Sequence, residues 1–294
     1  MDLAYLRAHP QQLPTFLTHQ RIRETPVRGG SICHARRLTL EDGASVFAKS
    51  WPEGAEPGVP ADFFESEAAG LRWLRAAGTM PVPEVIAVMP GMLALEWIDE
   101  AAPSPTAAER FGRNLAGLHR AGADAFGAPW PGYIGSLRQD NGTGPAWPEW
   151  FAERRLRPYL RLSADRGALS PSDVARIDGL LARIDGYGHP AEPPARLHGD
   201  LWPGNLVWGA DDTVWLVDPA AHGGHRETDL AQLALFGGAP HLGRVVAAYD
   251  EAFPLAAGWR QRVPLHQLHL LLVHTAMFGG AYRSTVLAAV AELT

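Results

Sequence analysis

Cysteine, net positive charge and long apolar runs are scarce in this chain, and each shortage excludes a class of protein. Cys33 is the single cysteine in 294 residues. No internal disulfide can form, and a reducing, cytoplasmic setting is expected. The formal charge of −6 at pH 7 argues against a nucleic-acid partner, whose binding surface needs a basic stripe. The longest apolar stretch, "LHQLHLLLVHTAMFGGAY", is broken by three histidines, too short and polar to span a bilayer, so no membrane partner is expected. The opening "MDLAYLRAHPQQLP" lacks the basic-then-apolar order of a signal peptide. No internal repeat is visible.

What remains is ordinary globular composition, 46% hydrophobic, in an order that suggests two lobes. In "GGSICHARRLTLEDGASVFAKS" a Gly-Gly pair opens a hairpin, Glu41-Asp42-Gly43 turns it and "SVFAKS" returns. "FFESEAAGLRWLRAAG" places Phe64, Ala68, Leu71 and Leu74 at helical spacing, with Gly78 as the stop. "PVPEVIAVMPGMLALEWID" reads as two strands around Pro90-Gly91. Beyond the connector "DEAAPSPT" helical patterns dominate. Thr106 with Glu109 suggests a capping box for the first of them, and Ser170 or Ser172 caps a later one. The expected architecture is α+β. A small antiparallel-sheet lobe covers residues 1–98 and a mainly helical lobe 99–294, with the binding site in the cleft between them.

The chemistry concentrates in "RLHGDLWPGNLVW" and "VWLVDPAAHGGHRETDLA". Between Asn205 and Asp218 lies a β-hairpin pattern with Gly-Ala-Asp-Asp-Thr at its turn. A turn centred between Asp211 and Asp212 would set Asn205 opposite Asp218, with Cβ atoms roughly 5 Å apart. A hard cation such as Mg²⁺, which keeps few protein ligands, could bridge the two. Asp200, five residues before Asn205, can address a substrate hydroxyl beside that metal. Phosphoryl transfer needs such a set: one carboxylate for the incoming hydroxyl, an Asn and an Asp for metal-bound phosphates. Upstream, the Gly29-Gly30-Ser31 turn permits close backbone approach to phosphates. Lys49 lies among apolar residues and needs a partner. Glu67 on the following helix is the first choice for it, Glu65 the second.

These residues together resemble the protein-kinase-like small-molecule kinases, which include aminoglycoside phosphotransferases and choline kinases. Within that group "LHGDLWPGN", "DPAAHGGHRETDLAQLALFGG", "FGAPWPGYIGSLRQDNG" and "WFAERRLRP" resemble the fructosamine kinase (ketosamine-3-kinase) family, over about residues 10 to 290. The resemblance implies a two-lobe protein-kinase-like fold and ATP with Mg²⁺. It makes Asp200 the catalytic carboxylate, Asn205 and Asp218 the Mg²⁺ ligands, and Lys49 the phosphate grip oriented by Glu67. It places the adenine hinge in "LALEWID", at Glu96, Trp97 and Ile98. His198 becomes a prop of the catalytic loop, Asp229 a brace of that loop and a helix cap, and His119 scaffold. The implied acceptor is a small sugar-amine or a glycated protein side chain.

The loop reads His-Gly-Asp and the metal motif Asp-Pro-Ala, so neither the His-Arg-Asp nor the Phe-dependent switch of protein kinases is expected. Pro203 replaces a common Ser, and His222 stands where an aromatic residue is expected. For the acceptor, Trp202 can stack on a sugar or anchor its loop. At least one of His225, Arg226 and Glu227 is expected to face the pocket, Glu227 suiting the ammonium of a ketosamine. Cys33, beside the Gly-rich turn, raises a redox-linked dimer as an alternative to a monomer. Competing readings are a two-metal hydrolase built from His198, Asp200, Asp218, His222 and His225, a kinase of another small molecule, and a non-catalytic nucleotide-binding module.

Overall fold

A computed structural model describes residues 2–18, 22–27, 32–52 and 60–293. Helices α1 (Leu3–Ala8) and α2 (Leu13–Thr18) precede β1 (Arg23–Pro26), β2 (His34–Thr39) and β3 (Ser45–Ser50). Helix α3 (Phe63–Arg75) follows, then β4 (Val85–Met89) and β5 (Met92–Glu96). All five strands form one antiparallel sheet in the order β1-β2-β3-β5-β4. Gly43, at φ +86°, sits in the β2–β3 turn where a side chain would be strained.

Alternation along β3 positions the first functional residue. Val46 and Ala48 are fully buried in a core shared with Leu6, Leu13, Leu38 and Ala94. Their neighbours Phe47 and Lys49 point to the opposite face and line a cleft. Helix α3 covers that face with Phe64, Ala68, Leu71 and Leu74, all fully buried, as their i, i+4, i+7 spacing predicts.

The remainder is mainly helical. Helix α4 (Pro105–Arg120) leads to a short hairpin, β6 (Gly132–Ile134) and β7 (Leu137–Gln139). Helix α5 (Trp147–Phe151) continues through a π-turn into α6 (Arg157–Asp165), followed by α7 (Pro171–Leu181). Then come β8 (Ala195–Leu197), β9 (Leu206–Trp208), β10 (Val214–Leu216) and β11 (His222–Gly224). The last helices are α8 (Glu227–Gln232), α9 (Leu242–Ala252), α10 (Trp259–Phe278) and α11 (Arg283–Glu292). Among the described residues no helix is long and apolar enough to cross a membrane.

Two local expectations are corrected and a third is decided between its alternatives. Ser104, not Thr106, caps α4: its Oγ accepts from Ala107 N, and Pro105 takes the first helical position, where a missing N–H costs nothing. Ser170 caps α7 and closes a capping box with Asp173. The β9–β10 hairpin pairs Trp208 with Val214 and Leu206 with Leu216, so Asn205 faces Val217, whose N–H it accepts at 3.2 Å. Asp212 adopts φ +58°, which makes a three-residue turn and shifts the register by one from the even split.

Candidate active site

Pairing of β8 with β11 and of β9 with β10 suspends two loops side by side: 198–205 and 217–221. The first is tightly held. Its Gly199 has φ +82°, and a Cβ there would lie 2.3 Å from Ala220 O, so this turn accepts only glycine. Asp229 is fully buried and accepts the N–H groups of His198 at 2.8 Å and Gly199 at 2.9 Å. His119 Nε2 donates to the same carboxylate at 3.3 Å while its Nδ1 accepts from Tyr249 O–H at 2.8 Å. Asp229 therefore braces the loop. It caps nothing, since it lies inside α8 and Arg226 takes the cap position. Gln232, one helical turn on, adds a second clamp by accepting Leu201 N–H at 2.8 Å and donating to Gly199 O at 3.2 Å.

His198 is wholly buried. Its Nε2 donates to Val217 O at 2.9 Å, and its Nδ1 accepts Asp200 N–H at 3.2 Å. Those partners fix one neutral tautomer, and burial lowers its pKa further. It ties the two loops together without carrying a mobile proton. Asn205 spends its amide N–H groups on Asp200 O at 2.8 Å, Asp200 Oδ2 at 3.1 Å and Asp218 O at 3.4 Å, leaving the amide oxygen for a cation. Asp200 Oδ1 is buried with no hydrogen-bond partner. Burial drives the Asp200 carboxyl up to about 7 against the pull of Asn205, and the charges of Asp218 and Asp229 add to the rise.

The second loop carries Asp218 in a left-handed conformation, φ +53°, a costly backbone state that side-chain placement at functional sites often accounts for. Lys49 Nζ lies 2.6 Å from Glu67 Oε2 and 2.7 Å from Asp218 Oδ1. Lys49 is the chain's only lysine; its other basic side chains are arginines. Burial opposes its charge, but the two carboxylates hold it protonated above the ordinary lysine range. Burial raises both carboxylates, but they respond unequally because the charge of Asp218 adds to the rise at Glu67, while His198 joins Lys49 in lowering Asp218. Burial pushes Glu67 up to about 7 even beside Lys49. Asp218 is held below the usual range because Lys49 outweighs its burial. Asn205 and Asp218 thus present two hard oxygen donors, the second a carboxylate already ionised, which fits Mg²⁺.

A cavity of about 510 Å³ joins these groups, with Lys49, Glu67, Asp200, Trp202, Asn205 and Asp218 on its wall. Trp202 folds over Gly204, where a Cβ would lie 2.2 Å from the indole. It also meets Phe236 edge-on at 5.7 Å. It is thus both loop anchor and cavity wall. His274 and Phe278 of α10 continue that aromatic wall.

Other expected residues lie elsewhere. His225, Arg226 and Glu227 are at most 4% exposed and none lines the cavity. Glu227 is paired with Arg262 at 2.6 Å, so the expectation that this run faces the acceptor pocket is not met. The helix α8 that begins there is buried along its whole length. His222 is buried, receives Arg155 Nε at 3.4 Å and does not line the cavity, and among the described residues no metal-capable group unites the histidines of the hydrolase reading with Asp200 and Asp218. Glu96 accepts Glu84 N–H at 3.1 Å and donates its own N–H to Glu84 O at 2.9 Å, the Trp97 ring lies under Arg37, and none of Glu96, Trp97 and Ile98 lines the cavity. Gly29, Gly30 and Ser31 lie outside the described residues. Cys33 is half-buried on the cavity wall, and burial pushes its thiol up to about 11. Little thiolate exists at neutral pH to support redox linkage. Sequence reasoning missed Gln232 and the Lys49–Asp218 contact. The i, i+3 spacing of Asp229 and Gln232 was the available signal for the first; the second joins residues with no sequence relation.

The profile of the fructosamine kinase family matches residues 8–294. A probable ketoamine kinase from Enterococcus faecium is 33% identical over 267 residues, covering 89% of this chain and 91% of its own. The crystal structure of a candidate fructosamine-3-kinase from Thermobifida fusca is 49% identical, covers 92% of this chain and 93% of its own, and superposes with a TM-score of 0.87. A choline kinase from Streptococcus pneumoniae, 15% identical with a TM-score of 0.64 over 97% of this chain and 99% of its own, shares the fold. The architecture is therefore the two-lobe, protein-kinase-like one. A match running almost the full length distinguishes among the phosphotransferases that share it: the chain belongs to the fructosamine kinase family.

Proposed function

We propose that the protein transfers the γ-phosphoryl group of ATP to a sugar hydroxyl of a ketosamine, a fructosamine or ribulosamine, with Mg²⁺ as the metal. The observation that carries the reading is the convergence of Lys49, Glu67, Asp200, Asn205 and Asp218 on one cavity. Asp200 Oδ1, buried and unpartnered, is the atom that takes the proton of the acceptor hydroxyl, while Asn205 holds Oδ2. Asn205 and Asp218 hold Mg²⁺, which when bound neutralises charge on the phosphate oxygens. Lys49 exchanges Asp218 for the nucleotide phosphates, and Glu67 keeps its ammonium in place. By the family resemblance, the 96–98 backbone holds adenine, the Gly29-Gly30-Ser31 turn covers the phosphates, and the sugar O3 is the phosphorylated position. Trp202 supplies an indole face for the C–H face of the sugar.

Thermal unfolding tests the reaction class. Mg-ATP at well above its Kd should raise Tm by several degrees, and divalent ions alone should do little. A hydrolase would show the reverse. Release of ADP on addition of a fructosyl-lysine derivative tests the acceptor.

A further inference from the structure

Behind the cleft lies a second group of ionisable side chains that phosphoryl transfer does not use. His225 and Glu227 come from the junction of β11 and α8, His266 from α10, and His189 from the segment before β8. His225, Glu227 and His266 are at most 3% exposed. Each offers a donor atom within 4.8 Å of the other two. None of them lines the cleft cavity. Trp147 packs over the group, its ring 5.1 Å from His225, 5.0 Å from His266 and 4.3 Å from His189.

Hydrogen bonding is incomplete within this group. Nε2 of His225 and both ring nitrogens of His189 are buried with no hydrogen-bond partner, and Nε2 of His266 has only Glu227 Oε2, 3.4 Å away. Buried polar atoms are rarely left so, and several orphans converging beside a carboxylate call for a missing partner. Burial lowers the pKa of all three imidazoles, so they offer lone pairs rather than charge. The surroundings already hold the donors in position. His266 Nδ1 lies 2.9 Å from Thr228 Oγ1, and Arg262 grips the Glu227 oxygens at 2.6 and 2.8 Å. A carboxylate oxygen that accepts one hydrogen bond keeps a lone pair for a metal.

The ring spacing fits a tetrahedral metal such as zinc. With Zn–N near 2.0–2.1 Å, imidazole centroids about a tetrahedral zinc lie about 5.2 Å from each other. The centroid separations are 5.4 Å for His225–His266, 5.2 Å for His189–His266 and 5.6 Å for His189–His225. We propose that His225, Glu227 and His266 form a buried structural zinc site, with His189 as the further donor packed against both imidazoles. Closed from solvent and outside the lining of the cleft cavity, it ties the first turn of α8 to α10. Asp229 stands two residues beyond Glu227 on that turn, so the site would stiffen the platform under the catalytic loop.

The test is the metal content of the full chain purified from zinc-supplemented cells. Wild type should hold about one zinc per chain. Asp218→Asn, which alters the cleft, should hold the same amount. His225→Gln and His266→Gln should each fall below about a tenth of that. Cobalt-grown wild type should show the intense visible bands of tetrahedral cobalt, a reading that needs no variant to fold. Wild type with no stoichiometric zinc and no such bands overturns the proposal, as does zinc that persists in both histidine variants or vanishes in Asp218→Asn alone.

Discussion

The ammonium of Lys49 lies 2.7 Å from a carboxylate oxygen of Asp218, 169 residues away in the chain. One cation on a sheet strand thus spans the cleft to the residue that fits the metal site, while Glu67 holds it from behind at 2.6 Å. Because Lys49 is the only lysine, this contact can be read chemically. An acyl-phosphate nucleotide that acylates amines should label one internal peptide, and excess Mg-ATP should protect it. In a double-mutant cycle of Lys49→Ala and Glu67→Ala, the coupling should be on the order of 0.5–3 kcal/mol. Strict additivity would mean that the pair does not act as a unit.

Asp200→Asn keeps the shape of the side chain and removes its basicity. Turnover should fall by about a hundredfold or more, while affinity for Mg-ATP, measured by calorimetry, should hardly change. A variant that keeps more than about a tenth of wild-type kcat would assign the proton to another group.

Asp200, Asn205 and Asp218 are legible in the sequence because each is fixed within a few residues of a strand, where a period of two and a turn limit the choices. The β3 strand is legible for the same reason. What failed depends on long-range packing. The hairpin register turned on whether Asp212 adopts a positive φ, which Asp tolerates but does not require. The role of "GHRETDLA" was misread because it follows Asp218 closely in sequence, which suggests that it faces the same pocket. Only the folded chain reveals that Arg262 and His266, some forty residues on, bury Glu227. Asp229 shows both outcomes: its bracing role came from the resemblance, while its expected cap position fails because α8 begins two residues earlier.

Trp202 separates acceptor from nucleotide. Trp202→Ala should raise the KM for the acceptor several-fold while the KM for ATP stays within about twofold, since removal of a packed aromatic face costs on the order of 1 kcal/mol or more. Equal rises in both constants would make Trp202 scaffold alone.

Buried histidines give the fold a defined response to acid. His222 is 2% exposed and His269 fully buried. Burial, aided by the charge of Arg155, holds both well below the ordinary histidine value. Folded chains therefore stay unprotonated at these sites while unfolded chains take up a proton below about pH 6.5. Stability is fully present above that pH and is lost as pH falls toward the depressed folded values, at about 1.4 kcal/mol per pH unit for each histidine. Urea midpoints between pH 7 and 5 should record that decline. His269→Leu, which removes two unpartnered ring nitrogens, should flatten the slope by about one such increment. An unchanged slope would show that His269 is protonated in the folded state.

The central claim is the pairing of ATP with a ketosamine. It is tested most directly by coupled-assay ADP release with fructose-lysine and ribulose-lysine derivatives, set against kanamycin, choline and free fructose, in wild type and Asp200→Asn. The account predicts Mg²⁺-dependent release of ADP with at least one ketosamine, none above background with the other three, and loss of the signal in the variant. Turnover of kanamycin or choline with neither ketosamine accepted would contradict it.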